Sequence, residues 1–243
     1  MSIIEHPDLQ KTQDFSMLSL GILICTYNPE EQIFRRTLKS VEFLILPEGI
    51  PIECVIVDNN SPSPVEQLPY VQAFLAKCPW ARVIREPQQG VGFARITGMA
   101  QMPSSAIIFI DTDNEVAPDY VQVAADFLKR YPHIAAVGPG KVKVEFLDTV
   151  SDWFANNFRS SIFQEKNFET IEYACIPATW LDCYPIGTGL VLRKEVFESY
   201  HKAFKKGHLT ATGRLGKSLA SGEDIQMIWQ AIKMGQAAGV CPD

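Results

Sequence analysis

The 243 residues carry 22 Lys and Arg against 28 Asp and Glu, a net charge of −6, which excludes the basic footprint of a general nucleic-acid binder. Hydrophobic residues make up 47% and charged residues 21%, the balance of a globular chain with a substantial core. No apolar run approaches the roughly 18 residues of a membrane span, and residues 1–16 lack the apolar heart of a signal peptide and read as a polar tail.

The six cysteines, Cys25, Cys54, Cys78, Cys175, Cys183 and Cys241, form no C-x-x-C pair, and several lie in apolar runs. They read as reduced core residues of a cytosolic protein, not as zinc ligands or a disulfide framework.

Residues 18–25 read as a first strand. Asn28, Pro29 and Glu31 then supply an N-cap, a first helical residue and a capping box. A helix is predicted from 29 to about 44, with Ile33, Phe34, Leu38, Val41 and Leu44 at helical spacing. Thr26 and Tyr27 fall at the carboxyl end of the strand, where α/β sheets collect ligands, although helix capping alone accounts for the segment. A second strand over 53–58 ends in Asp58. A loop through Asn59, Asn60 and Pro64, a helix over 65–77 and a short strand over 81–86 follow. Repeated β-α units of this kind predict a parallel α/β sheet.

Gln89 to Arg95 opens a helix that runs to about Met102. The third glycine of a dinucleotide fingerprint would fall at position 95, which is Arg, and the segment precedes a fourth strand instead of following the first. A dinucleotide-binding reading is therefore rejected. Gly90 and Arg95 still fit a helix N-terminus that holds an anion or an acidic side chain; a glycine-rich turn with an exposed Arg fits as well.

The fourth strand, Ile107 to Ile110, is a short apolar run of the kind buried on both faces of a parallel sheet. It feeds directly into Asp111, Thr112, Asp113 and Asn114. If the strand continues, Asp111 and Asp113 point to one side. Their mutual repulsion is then relieved by a hard divalent cation with a preference for oxygen ligands. An acidic turn is the simpler alternative. A helix over 118–131 and a strand over 134–137, continuing through 141–146, complete the alternation.

Residues 148–185 are rich in aromatics, from Trp153 and Phe154 to Trp180 and Tyr184, which suit ordinary packing or a platform for a sugar. A strand over 185–193 is opened by Gly187, Thr188 and Gly189, and a helix over 194–203 follows. The basic stretch with Lys205, Lys206, Arg214 and Lys217 suits a lid or a solvated loop. Glu223 and Asp224 open a last helix, to about Met234, where the helix dipole alone favours acids.

Together and in this order, Thr26-Tyr27-Asn28, Asp58, Gly90-x-Gly92-x-x-Arg95, Asp111-Thr112-Asp113, Gly187-Thr188-Gly189 and Glu223-Asp224 resemble the family 2 glycosyltransferases. The resemblance covers roughly residues 18–239. It implies a GT-A type, Rossmann-like fold, with a mostly parallel central sheet flanked by helices. Beyond the tail, residues 17–243 would form one domain, nucleotide-binding to 146 and acceptor-binding from 147.

It further implies an inverting enzyme that moves a sugar from a nucleotide-diphosphate sugar, UDP by family habit, to a hydroxyl of a saccharide or lipid-linked acceptor. Thr26, Tyr27, Asn28, Asp58, Asn60, Gly90, Arg95, Asp111 and Thr112 would hold the nucleotide sugar, with Asp58 accepting from the base and Arg95 lying near the phosphates or bracing the acidic motif. Asp111 and Asp113 would ligate Mn²⁺ or Mg²⁺. Gly187, Thr188 and Gly189 would shape the floor under donor sugar and acceptor. Asp224 would be the general base, assisted by Glu223.

The chain departs from the family pattern in two places. It has no histidine after Asp224 to complete the metal site, so the site is incomplete here or the chain is a piece of a longer protein. It also has no Gln-x-x-Arg-Trp motif, because residues 226–230 read Gln-Met-Ile-Trp-Gln, and this argues for non-processive transfer. The expected location is the cytoplasm, where nucleotide sugars are made, with the basic stretch available to a membrane surface. The competing readings are a nucleotide-sugar binder without turnover and a nucleotidyltransferase. The latter lacks its glycine-rich triphosphate loop after the first strand.

Overall fold

The computed structural model describes residues 18–209 and 222–242. Strand β1 (Leu20–Thr26) leads through a turn to helix α1 (Glu31–Glu42), then β2 (Ile52–Asp58), α2 (Pro69–Lys77), β3 (Ala81–Arg85), α3 (Val91–Ala100), β4 (Ala106–Phe109), α4 (Tyr120–Arg130) and β5 (Ile134–Pro139). The second half holds β6 (Lys141–Val142), α5 (Asp152–Phe158), β7 (Lys166–Asn167), β8 (Glu172–Ala174), β9 (Val191–Arg193), α6 (Lys194–Lys205), α7 (Glu223–Lys233) and β10 (Ala237–Cys241).

The central sheet has eight strands in the order β3-β2-β1-β4-β9-β5-β10-β8. The first four run parallel, as does β10 with β5; β9 is antiparallel to both its neighbours, and β8 to β10. Side chains alternate across the sheet as strand geometry requires. Ile22 and Ile24 of β1 face a core with α1, α2 and α4, including Phe34, Phe74 and Leu128. Leu23 faces the opposite core with α3, α6 and α7, including Met99, Phe197 and Ile228. The result is a three-layer sandwich. Helix α3 lies unusually close to the sheet at Gly98, where an added Cβ would sit 2.3 Å from Leu23 Cδ1.

Several sequence expectations need correction. Helix α1 is capped by Glu30, whose Oε2 accepts from Ile33 N at 2.8 Å. Asn28 is not the cap: it takes a left-handed φ of 44° and donates its N–H to Ser61 Oγ at 2.9 Å, tying this loop to the loop after β2. The predicted strand over 185–193 shortens to Val191–Arg193, because Gly189 takes φ 66° and Leu190 N turns back onto Gly187 O at 3.3 Å. The continuation of β5 leaves the main sheet, since β6 pairs with β7 instead. The 65–77 helix divides into a 3₁₀ turn at Val65–Gln67 and α2. The 1–16 tail, and Arg214 and Lys217 of the basic stretch, lie outside the described residues.

Candidate active site

The carboxyl ends of β1, β2 and β4 open on one side of the sheet, with the N-termini of α3 and α7 beside them. A cleft of about 320 Å³ is lined by Cys25, Thr26, Tyr27, Asn59, Gln89, Gly90, Val91 and Ala94. Tyr27 presents its ring, 52% exposed. Thr26 is buried, and its Oγ1 has no hydrogen-bond partner among the described residues. Burial pushes the Cys25 thiol up to about 12, against the lowering pull of Arg95, so it stays protonated.

The loop after β2 forms a knot under this cleft. Asp58, expected from the sequence to accept from a base, is only 2% exposed. Its Oδ1 accepts from Ser61 N at 2.8 Å, and its Oδ2 from Val65 N and Arg85 Nη1, both at 3.2 Å. Asn60 stands at φ 63° and accepts from Arg85 Nη2 at 2.7 Å. Asn59, which the sequence reading passed over, fastens the knot to the turn before α3. Its Nδ2 donates to Gln88 O at 2.7 Å, and its Oδ1 accepts from Gly90 N at 2.8 Å. Arg85 was also missed. Its signal lies in strand register, since β3 pairs Arg85 opposite Asp58.

Beyond the cleft, Arg95 is the hub. It is buried, its guanidinium lies 5.2 Å from the centre of the Phe109 ring, and it donates to Glu223 Oε1 at 2.8 Å and to Asp111 Oδ1 at 3.3 Å. Burial works against its charge, but Asp111 and Glu223 outweigh that and raise its pKa, so it stays cationic. Glu223 is as buried as Arg95, and its second oxygen accepts from Gly222 N at 3.2 Å.

The acidic pair differs from the strand picture. Strand β4 ends at Phe109, so the alternation rule does not reach Asp111 and Asp113. They sit in a turn closed by Asn114 N donating to Asp111 O at 3.1 Å and Asp111 N donating to Asn114 Oδ1 at 3.2 Å. The Asp111 side chain is 41% exposed, and Asp113 accepts from Asn114 Nδ2 at 3.2 Å. Among the described residues no three His, Cys, Asp or Glu side chains cluster as a metal cage. What the turn would offer a cation is two hard carboxylates, Asp111 and Asp113. This suits a cation that completes its shell with phosphate and water oxygens, as Mg²⁺ does.

On the other flank, the first turn of α7 presents Asp224, half-buried. Its Oδ2 accepts from Gly187 N at 2.8 Å, and its Oδ1 from Ile225 N at 2.9 Å. A Cβ on Gly187 would lie 3.1 Å from Asp224 Oδ2 and 3.2 Å from Arg95 Nη2, a tight fit that glycine avoids. Thr188 is half-buried beside it, and Gly189 O accepts from the Tyr120 hydroxyl. The aromatics of 148–185 mainly pack on one another. Phe146 meets Phe154 and Phe163, and Trp180 meets Tyr184 and Trp229, with rings 5.5 and 6.2 Å away.

This arrangement brings Asp111, Arg95, Glu223, Asp224 and Gly187 into one connected group, beside the cleft of Thr26, Tyr27 and Gly90. Known proteins resemble the chain as a whole in sequence and in fold. The succinoglycan biosynthesis protein ExoO of Rhizobium meliloti (strain 1021) is 26% identical over 239 residues, 97% of this chain and 60% of that protein. ExoW of the same organism is 32% identical over 120 residues, 47% of this chain and 35% of that one. The chain thus spans between 35% and 60% of the length of these relatives.

Among solved structures, Staphylococcus aureus TarS 1–349 in complex with UDP-GlcNAc superposes with a TM-score of 0.60 at 17% identity, over 92% of this chain and 55% of that one. The mannosyltransferase PcManGT from Pyrobaculum calidifontis, in complex with GDP-Man and Mn²⁺, superposes with a TM-score of 0.60 at 18% identity, over 94% of this chain and 56% of that one. At such identities the likeness speaks for the fold. Residues 21–200 match the model described as glycosyl transferase family 2, and this chain, with its GT-A fold, belongs to that family.

Proposed function

We propose that the protein is an inverting, metal-dependent glycosyltransferase that uses a nucleotide-diphosphate sugar, with UDP as the first nucleotide to test, in polysaccharide or glycoconjugate synthesis. The observation that carries this reading is the Asp111–Arg95–Glu223 chain of contacts, which ends beside the Gly187-anchored carboxylate of Asp224. It joins a donor-side motif to a base through one buried cation.

In this reading Tyr27 covers the base, and the Thr26 hydroxyl, with Gly90 at the opening of α3, meets polar groups of the donor. Asp58 and Asn60 act by holding the turn, together with Arg85. Asn28 holds that turn to the loop after β1. Asp111 and Asp113 would hold Mn²⁺ or Mg²⁺, which as a Lewis acid stabilises the charge gathering on the departing diphosphate. Gly187, Thr188 and Gly189 form the floor for the sugar.

Asp224 takes the proton from the acceptor hydroxyl as its oxygen attacks the anomeric carbon. The bond from that carbon to the diphosphate oxygen breaks, and its electron pair leaves with the nucleoside diphosphate. One base and one displacement invert the anomeric centre. Glu223 positions this base through Arg95 and the start of α7 and does not itself touch substrate.

The acceptor would be a saccharide or a lipid-linked saccharide hydroxyl, with transfer non-processive, the site facing the cytosol and contact with a membrane surface peripheral. Among the described residues no helix is long and apolar enough to cross a membrane. Positioned base catalysis contributes roughly 10²- to 10⁴-fold. Asp224→Asn should therefore lower transfer by that factor and leave nucleotide affinity within about twofold. Unchanged transfer would remove Asp224 from the role. Loss of binding instead would point to a binding module in which Asp224 contacts the nucleotide.

A further inference from the structure

The turn that bears Asp111 and Asp113 is gripped from behind by α1, on a face that the sequence reading assigned only to the core. Thr37 is fully buried. A helical threonine ordinarily returns its hydroxyl to the carbonyl four residues back, and here that contact, to Ile33 O, is stretched to 3.5 Å. The hydroxyl donates instead to Thr112 O, the carbonyl between the two aspartates, at 2.8 Å. One turn on, Ser40 Oγ donates to Thr37 O at 2.8 Å and thereby turns a lone pair outward to accept from Val116 N at 3.2 Å. Arg36 pairs with Glu115, and Ile45 N, past the helix end, donates to Pro118 O at 2.7 Å. Segment 112–118 therefore runs alongside α1, fastened at successive points.

Hydroxyls three residues apart face the same way on a helix. One gives a proton to the acidic turn and the other receives one from it, and such a donor-acceptor pair fixes both the height and the register of the turn. Within the turn Asn114 ties the Asp111 backbone to the Asp113 carboxylate, and past the end of strand β4 the contacts with α1 anchor that turn to the body of the fold.

We propose that Thr37 and Ser40 are positioning residues. They hold the Asp111–Asp113 turn in the geometry that takes the divalent cation together with the donor diphosphate. This rests on the reading under Proposed function.

The test titrates UDP and GDP calorimetrically, with and without Mn²⁺, into wild type, Thr37→Val, Thr37→Ser and Ser40→Ala. It also measures hydrogen exchange of the 111–118 peptide in each unliganded protein. Thr37→Val keeps the shape and removes the donor. Metal-dependent nucleotide affinity should fall about three- to tenfold, the worth of roughly one hydrogen bond. Affinity without Mn²⁺ should stay as in wild type, and exchange of 111–118 should speed up. Thr37→Ser, which keeps the hydroxyl, should bind as wild type. Ser40→Ala, at a half-buried position, reads the same clamp if Thr37→Val does not fold.

Wild-type metal dependence in both Thr37→Val and Ser40→Ala would overturn the proposal. So would an equal loss with and without Mn²⁺, which marks plain packing. If wild type itself shows no metal-dependent binding of either nucleotide, the functional reading fails and takes the clamp's purpose with it. The exchange data then report separately whether α1 orders the turn.

Discussion

Arg95 is a buried cation between a buried and a half-exposed carboxylate, and its substitution separates structure from chemistry. Arg95→Met leaves Glu223 buried and unpaired, a situation that costs about 3–5 kcal/mol, and should lower the urea midpoint accordingly. Arg95→Met with Glu223→Leu should recover much of the stability but not the transfer activity. A midpoint that barely moves in the single variant would mean that water reaches Glu223. Gly187→Ala makes the complementary case. Its Cβ would fall 3.1 Å from Asp224 Oδ2, so that carboxylate must give by a few tenths of an ångström, a shift that a proposed base feels more than the fold does. Its kcat should therefore drop far more than its melting temperature; parallel losses would show that Gly187 matters only for folding.

Asp58 and Asp111 were legible as acids at or just past a strand end, and Asp224 as an acid opening a helix, each within an ordered motif. Asn59, Arg85 and Thr37 were not. Their meaning depends on what the β2–β3 register and the face of α1 bring near, and neither is written in local sequence.

The elements themselves were read well where their apolar periodicity was long, and poorly where short segments take their structure from tertiary partners. Strand β9 is three residues inserted antiparallel between β4 and β5. Strands β8 and β10 went unread, because small and polar residues such as Ala237, Ala238 and Gly239 carry little strand signal. Gly239 itself allows close pairing, since a Cβ there would meet Glu172 O at 2.3 Å.

The seating of α3 on the sheet gives a test at this scale. In Gly98→Ala the new methyl would meet Leu23 Cδ1 at 2.3 Å and Val57 Cγ2 at 2.9 Å. Overpacking costs about 1–3 kcal/mol, more than the roughly 1 kcal/mol that alanine gains in a helix, so thermal stability should fall. Leu23→Ala should then cost less in the Gly98→Ala background than in wild type. Simple additivity in that cycle would show that α3 shifts freely to accommodate the methyl.

For the whole molecule, pH dependence follows from histidines packed as neutral groups. Burial, and then Arg193, lower the pKa of His133 from its ordinary 6.5. Burial, and then Lys205, do the same to His201. As pH falls through 6.5 the unfolded chain takes up these protons first, so the unfolded state gains stability and the fold loses it. The loss stops once the native histidines protonate, and above 6.5 the histidines contribute nothing. His133→Gln should flatten the acid side of the stability profile near that pH; an unchanged slope would assign it to other groups.

At this same scale the sandwich sets the cleft of Thr26, Tyr27 and Gly90, on the parallel half of the sheet, beside Asp224 on the mixed half, with Arg95 between them. In the proposed function the Asp111–Asp113 turn binds a nucleotide diphosphate through a divalent cation. Calorimetric titration of UDP and GDP, with and without Mn²⁺, into wild type and Asp113→Ala tests it most directly. Wild type should bind one nucleotide in a metal-dependent way, and Asp113→Ala should lose that dependence. Equal binding by both proteins, or binding indifferent to Mn²⁺, would contradict it.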